Sequence, residues 1–147
     1  MIISTKGRYA LRVMLDLAQH PNDGFIPLKE IADRQEISKE YLNGILKVLV
    51  QDGLLTSLRG KGGGYKLTHS PDYYSVGMIL RLVEGDLAPV TCVSMAEPCP
   101  RANSCASLPM WKKLNRMIND FFDNISLEDL MENDIEDIDD LDCEDKK

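Results

Sequence analysis

The sequence predicts a mainly α-helical protein with one small β-hairpin. Apolar residues recur at helical spacing in several separate stretches, and one glycine-rich segment lies between two short runs of strand-forming residues. At 147 residues the chain is long enough for one compact domain with an extension. We therefore expect a helical head, a hairpin and a further long helix.

The first helix is predicted to begin at Thr5, a residue that can act as N-cap, and to stop at His20 and Pro21. A second, short helix follows Pro27 and ends near Gln35. The inward face of the first helix follows the i, i+3, i+4 rule through Tyr9, Ala10, Val13, Met14, Leu17 and Ala18.

A third helix is predicted to follow Ser38, its N-cap, and to end at Gly53, where a left-handed residue is favoured. Two short helices joined by a tight turn, the second with a polar outer face, are typical of a helix-turn-helix. The inward face comprises Leu42, Ile45, Leu46, Leu49 and Val50, and the outer face Lys39, Glu40, Asn43, Gly44 and Lys47.

Residues 54–58 and 65–68 are predicted to form two strands around a loop of residues 59–64. A helix-turn-helix followed by such a hairpin predicts a winged helix-turn-helix. The glycines of the loop allow close approach to a groove of DNA, and Arg59 and Lys61 supply cations. A nucleotide-binding loop is disfavoured because no Lys-Ser/Thr pair opens a helix after the glycines. A mobile hairpin without a binding role remains an alternative.

Ser75 is predicted to cap a fourth helix that ends at Gly85, and Ser126, three residues before Asp129, to cap a short last one. Between them Pro109 lies near the start of a longer amphipathic helix. We expect its apolar face to pair with the same helix of a second subunit, although burial against its own domain is an alternative. That face comprises Trp111, Leu114, Met117, Ile118, Phe121 and Phe122.

Three cysteines, Cys92, Cys99 and Cys105, are spaced C-x6-C-x5-C in a segment that Pro98 and Pro100 keep from forming a regular helix. Three thiolates on a loop suit an iron–sulfur cluster or zinc, with a fourth ligand from elsewhere. Three ordinary cysteines, two of them in a disulfide, are the alternative reading.

The net charge of −7 is unevenly distributed. Residues 1–70 hold ten Lys and Arg against seven Asp and Glu, a balance of +3, whereas residues 71–147 hold seven against seventeen, a balance of −10. A basic head with an acidic tail is compatible with DNA binding. No signal peptide or membrane span is evident, so we expect a cytosolic protein, whose reducing environment favours metal ligation over disulfides. No set of residues resembles a nucleophile with its base, which argues against an enzyme.

From about Ile3 to Met131 the chain resembles the bacterial Rrf family of winged-helix transcription regulators, in its IscR-like branch. The resemblance rests on the opening STKGRYAL, on Ser38 with Tyr41 and Leu42, on the glycine-rich hairpin and on three cysteines before a tryptophan. It implies a homodimeric DNA-binding regulator, most simply a repressor, that dimerises through the long helix. It also implies a cluster on the three cysteines, 2Fe-2S rather than 4Fe-4S. The DNA-binding residues that we infer are Ser38, Lys39, Glu40, Tyr41, Asn43, Lys47, Arg59, Gly60 and Lys61.

Two departures from the IscR-like pattern concern the site residues. Leu108 stands where a histidine completes the cluster in that branch, and the first helix reads Lys6-Gly7-Arg8, without the carboxylate that related nitric-oxide sensors use. The fourth ligand is therefore open, with Glu97, Ser107, Cys143 or an external thiol as candidates, and neither His20 nor His69 is expected to serve. On the recognition helix, Asn43 stands where the IscR-like branch has an acidic residue. Asparagine could pair with adenine, so the preferred operator should differ from that of the IscR-like branch.

Four regions follow from these predictions. Residues 1–85 form the DNA-binding head, 86–107 the cluster-binding loop, 108–132 the dimerisation helix with a short C-terminal helix, and 133–147 an acidic disordered tail. The function predicted is a DNA-binding regulator that senses iron–sulfur cluster status. A thiol- or zinc-responsive repressor of cysteine metabolism is the alternative.

Overall fold

A computed structural model describes residues 1–21, 23–94, 99–133 and 135. The fold is mainly helical with one two-stranded antiparallel sheet, as the sequence predicts. The predicted acidic tail lies almost wholly outside the described residues, as do Glu97 and Cys143. The elements are α1 (Thr5–Gln19), α2 (Leu28–Gln35), α3 (Lys39–Gln51), β1 (Leu55–Leu58), β2 (Gly64–Leu67), α4 (Val76–Glu84), α5 (Leu108–Asp123) and α6 (Leu127–Glu132), with short 3₁₀ turns at Pro71–Tyr73 and Thr91–Val93.

The main core lies between α1, α2, α3 and the hairpin, because the apolar faces that the sequence predicts for these helices meet there. Ser38 caps α3 as expected, and its hydroxyl accepts a hydrogen bond from the backbone N–H of Tyr41. The predicted cap of α1 is wrong by one residue, since Ser4 rather than Thr5 accepts the hydrogen bond from Gly7 N–H. Both residues can cap a helix, but Ser4 has the extended backbone conformation that an N-cap requires.

A buried carboxylate joins α1 to α2. Asp16 is only 1% exposed and accepts two hydrogen bonds from the Arg34 guanidinium, at 2.9 and 2.7 Å, and one from Gln35 Nε2 at 2.8 Å. Burial by itself raises the pKa of Asp16, but the hydrogen bonds from Arg34 and Gln35 outweigh it and hold the pKa below the ordinary value. This ion pair orients α2 against α1, and the pattern of apolar residues did not reveal it.

The hairpin pairs Leu55 with Leu67 and Leu58 with Gly64, so β1 begins one residue later than predicted and β2 begins and ends one residue earlier. Beyond the regular ladder, the Thr68 N–H still donates to the Leu54 carbonyl at 3.4 Å, and the Thr68 hydroxyl donates to the carbonyl of Gly53 at 2.8 Å. The hairpin, residues 55–67, is called the wing below.

The wing is also attached to the segment before α2. Ile26 and Tyr65 exchange two backbone hydrogen bonds of 2.9 and 2.8 Å. A Cβ atom at Gly64, whose φ is +149°, would lie 2.0 Å from the Ile26 carbonyl oxygen. Only glycine fits at this close approach of two backbones, and the attachment fixes the wing relative to the start of α2.

The C-terminal helices form a second, smaller core with α4. Val76, Leu80, Leu87 and Ile125 are buried there, and Ile118 and Phe122 of α5 pack against them. Ser75 and Gly85 bound α4 as predicted, and Ser126 with Asp129 forms a reciprocal capping box at α6.

Arg81 of α4 fastens α5 to the rest of the molecule. Its guanidinium donates to Asp123 at 2.7 and 2.8 Å and to Asn119 Oδ1 at 2.7 Å. The face of α5 that carries Asn119 therefore lies against α4, and the predicted apolar face is divided. Ile118 and Phe122 pack inward, whereas Leu114, Met117 and Phe121 stay 37–45% exposed.

No helix in the described part of the chain is both long enough and apolar enough to cross a membrane.

Candidate nucleic-acid interface and cysteine site

A cleft of about 540 Å³ separates the outer face of α3 from the wing. We call it the α3–wing cleft. Its α3 side is formed by Asn43, Lys47, Val50 and Gln51, its wing side by Ser57, Leu58, Arg59, Gly60, Gly63, Gly64 and Tyr65, and its floor by Pro27 and Leu28.

The cleft brings together four of the residues that the sequence assigns to DNA binding: Asn43, Lys47, Arg59 and Gly60. Its two charged side chains are the cations of Lys47 and Arg59, and none of the described residues that line it is acidic. A cleft in which both charged side chains are cationic favours a polyanion as its ligand.

The other predicted DNA-binding residues lie outside the cleft. Ser38, Lys39 and Glu40 form the exposed start of α3, and Lys61 is at the exposed tip of the wing. Tyr41 is 43% exposed, and its ring packs edge-on against Tyr9 of α1, with 5.6 Å between the ring centroids. The N-terminal turn of α3 is thus accessible, as a helix that enters a major groove must be.

Gly44 lies on the same exposed face. A Cβ atom built there would meet nothing within 4 Å, so no neighbouring helix of this chain requires glycine at this position.

Sequence patterns missed two polar residues of the cleft, Gln51 and Ser57. Gln51 is the last residue of α3, and Ser57 lies on β1 opposite Tyr65. Each lies in an ordinary helical or strand pattern, and only the packing of the wing beside α3 brings them to one surface. The alternation of side chains along β1 could have placed Ser57 on the same face as Leu55. It could not have shown that α3 lies beside the wing.

The three cysteines are free thiols of intermediate exposure. Cys92 lies in the turn at Thr91–Val93, and Cys105 lies three residues before α5 begins. Among the described residues, no group of three His, Cys, Asp or Glu side chains is close enough to hold a metal ion. The structure therefore does not gather the predicted ligands, and residues 95–98 between Cys92 and Cys99 are outside the described part.

Cys105 has a distinct environment. Its Sγ atom lies 3.3 Å from the Ser107 hydroxyl oxygen. This hydrogen bond, with that from the Ser107 backbone N–H, lowers the pKa of the Cys105 thiol below its ordinary value. Metals bind the thiolate, so the lowered pKa favours ligation at this cysteine.

Of the side chains predicted as alternatives for a fourth ligand, only Ser107 lies in the described part of the chain, and its hydroxyl oxygen is the one beside Cys105 Sγ. Leu108 is buried, being only 6% exposed, and packs as an apolar side chain at the start of α5. His20 and His69 are both exposed, and their rings contact Asp16 and Tyr73 respectively, remote in sequence from the cysteines.

The fold and the cleft define a class, that of winged helix-turn-helix DNA-binding proteins. Within that class the chain belongs to the Rrf2 family, described as iron-dependent transcriptional regulators, whose family model matches residues 3–133.

Known proteins agree with this assignment. The chain is 38% identical over 141 residues to the HTH-type transcriptional regulator IscR of Aliivibrio salmonicida (strain LFI1238), covering 95% of this chain and 83% of the relative. It is also 38% identical over 133 residues to IscR of Pectobacterium carotovorum subsp. carotovorum (strain PC1), covering 90% and 80%.

Two solved structures share the fold. The structure of CymR (YrzC), the global cysteine regulator of B. subtilis, has a TM-score of 0.74 at 35% identity, covering 90% of this chain and 98% of that one. T. potens IscR has a TM-score of 0.71 at 35% identity, covering 93% and 90%. The chain is thus a DNA-binding transcriptional regulator, and its relatives are regulators rather than enzymes.

Proposed function

We propose that this protein is a cytoplasmic homodimer that binds a pseudo-palindromic operator and represses transcription in response to the state of an iron–sulfur cluster. The observation that carries the DNA-binding part is the α3–wing cleft, in which Asn43 and Lys47 of α3 face Arg59 and Gly60 of the wing. In this assignment α3 enters the major groove and the wing meets the adjoining minor groove.

The dimer is supported by the exposed side of α5. Met110, Leu114, Met117 and Phe121 are 37–55% exposed and recur at intervals of three or four residues, so they form one stripe along the helix. A continuous apolar stripe of this kind marks an interaction surface, and the same stripe on a second copy is its simplest complement. Two heads related by a two-fold axis would then face two half-sites.

A charge within the stripe tests the dimer. Met117→Asp should convert the dimer to a monomer in light scattering after size exclusion, because two buried carboxylates would face each other across the axis. Lys112→Asp, roughly half a turn away around α5 from Leu114, is the matched control and should leave the dimer intact. A dimer that survives Met117→Asp would remove α5 from the interface.

The wing has its own test. Arg59→Ala should weaken operator binding by about 1–3 kcal/mol if Arg59 reads a groove edge. Fluorescence anisotropy on a labelled operator measures the change. Unchanged binding would exclude the wing from the interface.

We infer that Cys92, Cys99 and Cys105 hold a 2Fe-2S cluster. The fourth ligand must come from another position, since residue 108 is a leucine. Support comes from the chemistry of three free thiols, from the lowered pKa of Cys105 and from the similarity to IscR proteins. A bound cluster would supply a signal that is sensitive to redox state and to oxygen. Since the described residues do not bring the thiols together, the cysteine loop must close when the cluster binds.

Anaerobic purification tests the cluster. Brown protein with iron and sulfide in equal amounts is expected, and each of the three Cys→Ala variants should lose both, whereas Cys143→Ala should not. Operator affinity with and without the cluster, at one salt concentration, then tests sensing, and equal affinities would contradict it.

A second candidate, a thiol- or zinc-responsive repressor of cysteine metabolism, is favoured by the likeness to CymR, the global cysteine regulator of B. subtilis. It predicts colourless protein from the same purification, with either zinc or no metal.

A further inference from the structure

The α3–wing cleft contains more than the residues that face bases or the minor groove. We propose that it holds the sugar-phosphate strand that runs between the two grooves, with Lys47, Gln51 and Ser57 as phosphate contacts. This inference rests on the proposed operator binding and assigns a role to two residues that the sequence did not single out.

Geometry requires a strand at this place. In duplex DNA a major groove about 12 Å wide and a minor groove about 6 Å wide are separated by one backbone strand. If α3 lies in the major groove and the wing in the adjoining minor groove, that strand must pass between them. The space between α3 and the wing is the α3–wing cleft.

The chemistry of the cleft fits phosphate. Gln51 offers an amide N–H₂ group, Ser57 a hydroxyl and Lys47 an ammonium, and none of the described lining residues would repel an anion. The floor adds the start of α2, where Pro27 is the N-cap and makes no side-chain hydrogen bond to the first turn. The N-terminal end of an eight-residue helix therefore borders the same space.

Their positions along α3 predict different roles for Asn43 and Lys47. Base contacts come mainly from the N-terminal part of a recognition helix, whereas Lys47 lies one turn further on and Gln51 ends the helix. Lysine acts as a point charge and suits phosphate, while the planar amide of Asn43 suits an adenine edge. We assign Asn43 to sequence reading, and Lys47, Gln51 and Ser57 to placing the protein on the strand.

The probe is a duplex that the wild-type full-length dimer selects from a random-sequence library, together with single-base-pair variants of it. Gln51→Ala and Ser57→Ala should weaken binding by about 3- to 10-fold on the selected duplex and on every variant alike, because phosphate contacts carry no sequence information. Asn43→Ala should instead alter the ranking of the variants. A changed ranking for Gln51→Ala and Ser57→Ala would overturn the assignment.

Salt dependence tests Lys47. Lys47→Ala should reduce the slope of log K against log[salt] by about one unit per half-site. The matched control is Lys66→Ala, since Lys66 lies on β2 of the same wing but lines a separate pocket on the opposite side of it. That variant should change the slope less. Equal changes for both lysines, or no change for Lys47→Ala, would overturn the proposal.

A neutral methylphosphonate, placed at one phosphate at a time along the selected duplex, locates the contact. At one position per half-site it should weaken wild-type binding, yet cause no further loss in Lys47→Ala, because the contact is already gone. Additive losses at every position would contradict the proposal. If the wild-type dimer selects no duplex at all, both the proposed function and the strand assignment fail. If it selects a duplex but these effects are absent, only the strand assignment is refuted.

Discussion

Two amphipathic helices of this chain, α3 and α5, satisfy their apolar faces differently. The 13 residues of α3 bury Leu42, Ile45, Leu46 and Leu49 within the head. The 16 residues of α5 bury Leu108 alone, although the apolar pattern of α5 is as regular. An amphipathic pattern therefore predicts that a face will be covered, but the described part of the chain covers the whole face of α3 and only the Ile118 and Phe122 side of α5.

The largest expected effect compares one leucine from each helix. Leu46→Ala removes a fully buried side chain and should lower the free energy of unfolding by about 2–5 kcal/mol at any protein concentration. Leu114→Ala, at a side chain 37% exposed, should lower stability only in proportion to dimer formation, so its effect should vary with protein concentration. Urea unfolding at two concentrations a hundredfold apart measures both. A concentration-independent loss for Leu114→Ala would mean that α5 is covered by its own chain.

The next effect concerns the ion pair beneath the helix-turn-helix. Asp16→Ala should cost about 1–3 kcal/mol at neutral pH, because it removes three charge-assisted hydrogen bonds but leaves an Arg34 that water can still reach. Asp33→Ala, an exposed carboxylate on α2, is the control and should change stability little.

The pH dependence of the same variant has a definite sign. Since the folded-state pKa of Asp16 lies below the unfolded value of about 3.9, its contribution is fully present above that value. The contribution is lost as the pH falls through the lower folded-state pKa. The difference between wild type and Asp16→Ala should therefore shrink as the pH falls below about 4, as chemical unfolding at each pH would show. A difference that grows in acid would contradict the lowered pKa.

The smallest effect lies at the start of α1. The carboxylate of Glu84 on α4 accepts hydrogen bonds from the backbone N–H groups of Ser4 and Gly7, both at 3.0 Å. Glu84→Gln keeps the shape but removes the negative charge at a helix N-terminus, and should cost about 0.3–1 kcal/mol at low salt. The loss should fall as salt is added, and thermal unfolding in two buffers measures it. A loss independent of salt would point to the hydrogen bonds rather than to the charge.

Local signals in the sequence predicted much of the fold. Ser38, Ser75 and Ser126 cap their helices, and Gly53 and Gly85 end theirs with positive φ, because capping depends on a residue and its nearest neighbours. The exception, Thr5 in place of Ser4, arises where two adjacent residues can both cap.

Contacts between distant residues could not be predicted in the same way. Asp16 looks like a break in an apolar face until Arg34 and Gln35 are placed beside it, and Ile26 shows no strand pattern until it pairs with Tyr65. For the candidate site, residue type and helix position predicted Asn43, Lys47, Arg59 and Gly60. The remaining polar residues of the cleft depend on how α3 and the wing are packed together.

The last turn of α4 carries two attachments at once. Arg81 holds α5, and Glu84, three residues later, holds the start of α1. Gly85 ends the helix immediately afterwards, and the cysteine segment follows. In a two-fold dimer through α5, these two attachments would help to set the distance between the two α3 helices. Since half-sites are read one helical turn of DNA apart, about 34–36 Å or a multiple of it, a change in the cysteine segment should alter which operator spacing fits. Operators that differ only in spacer length would show it as a shifted optimum.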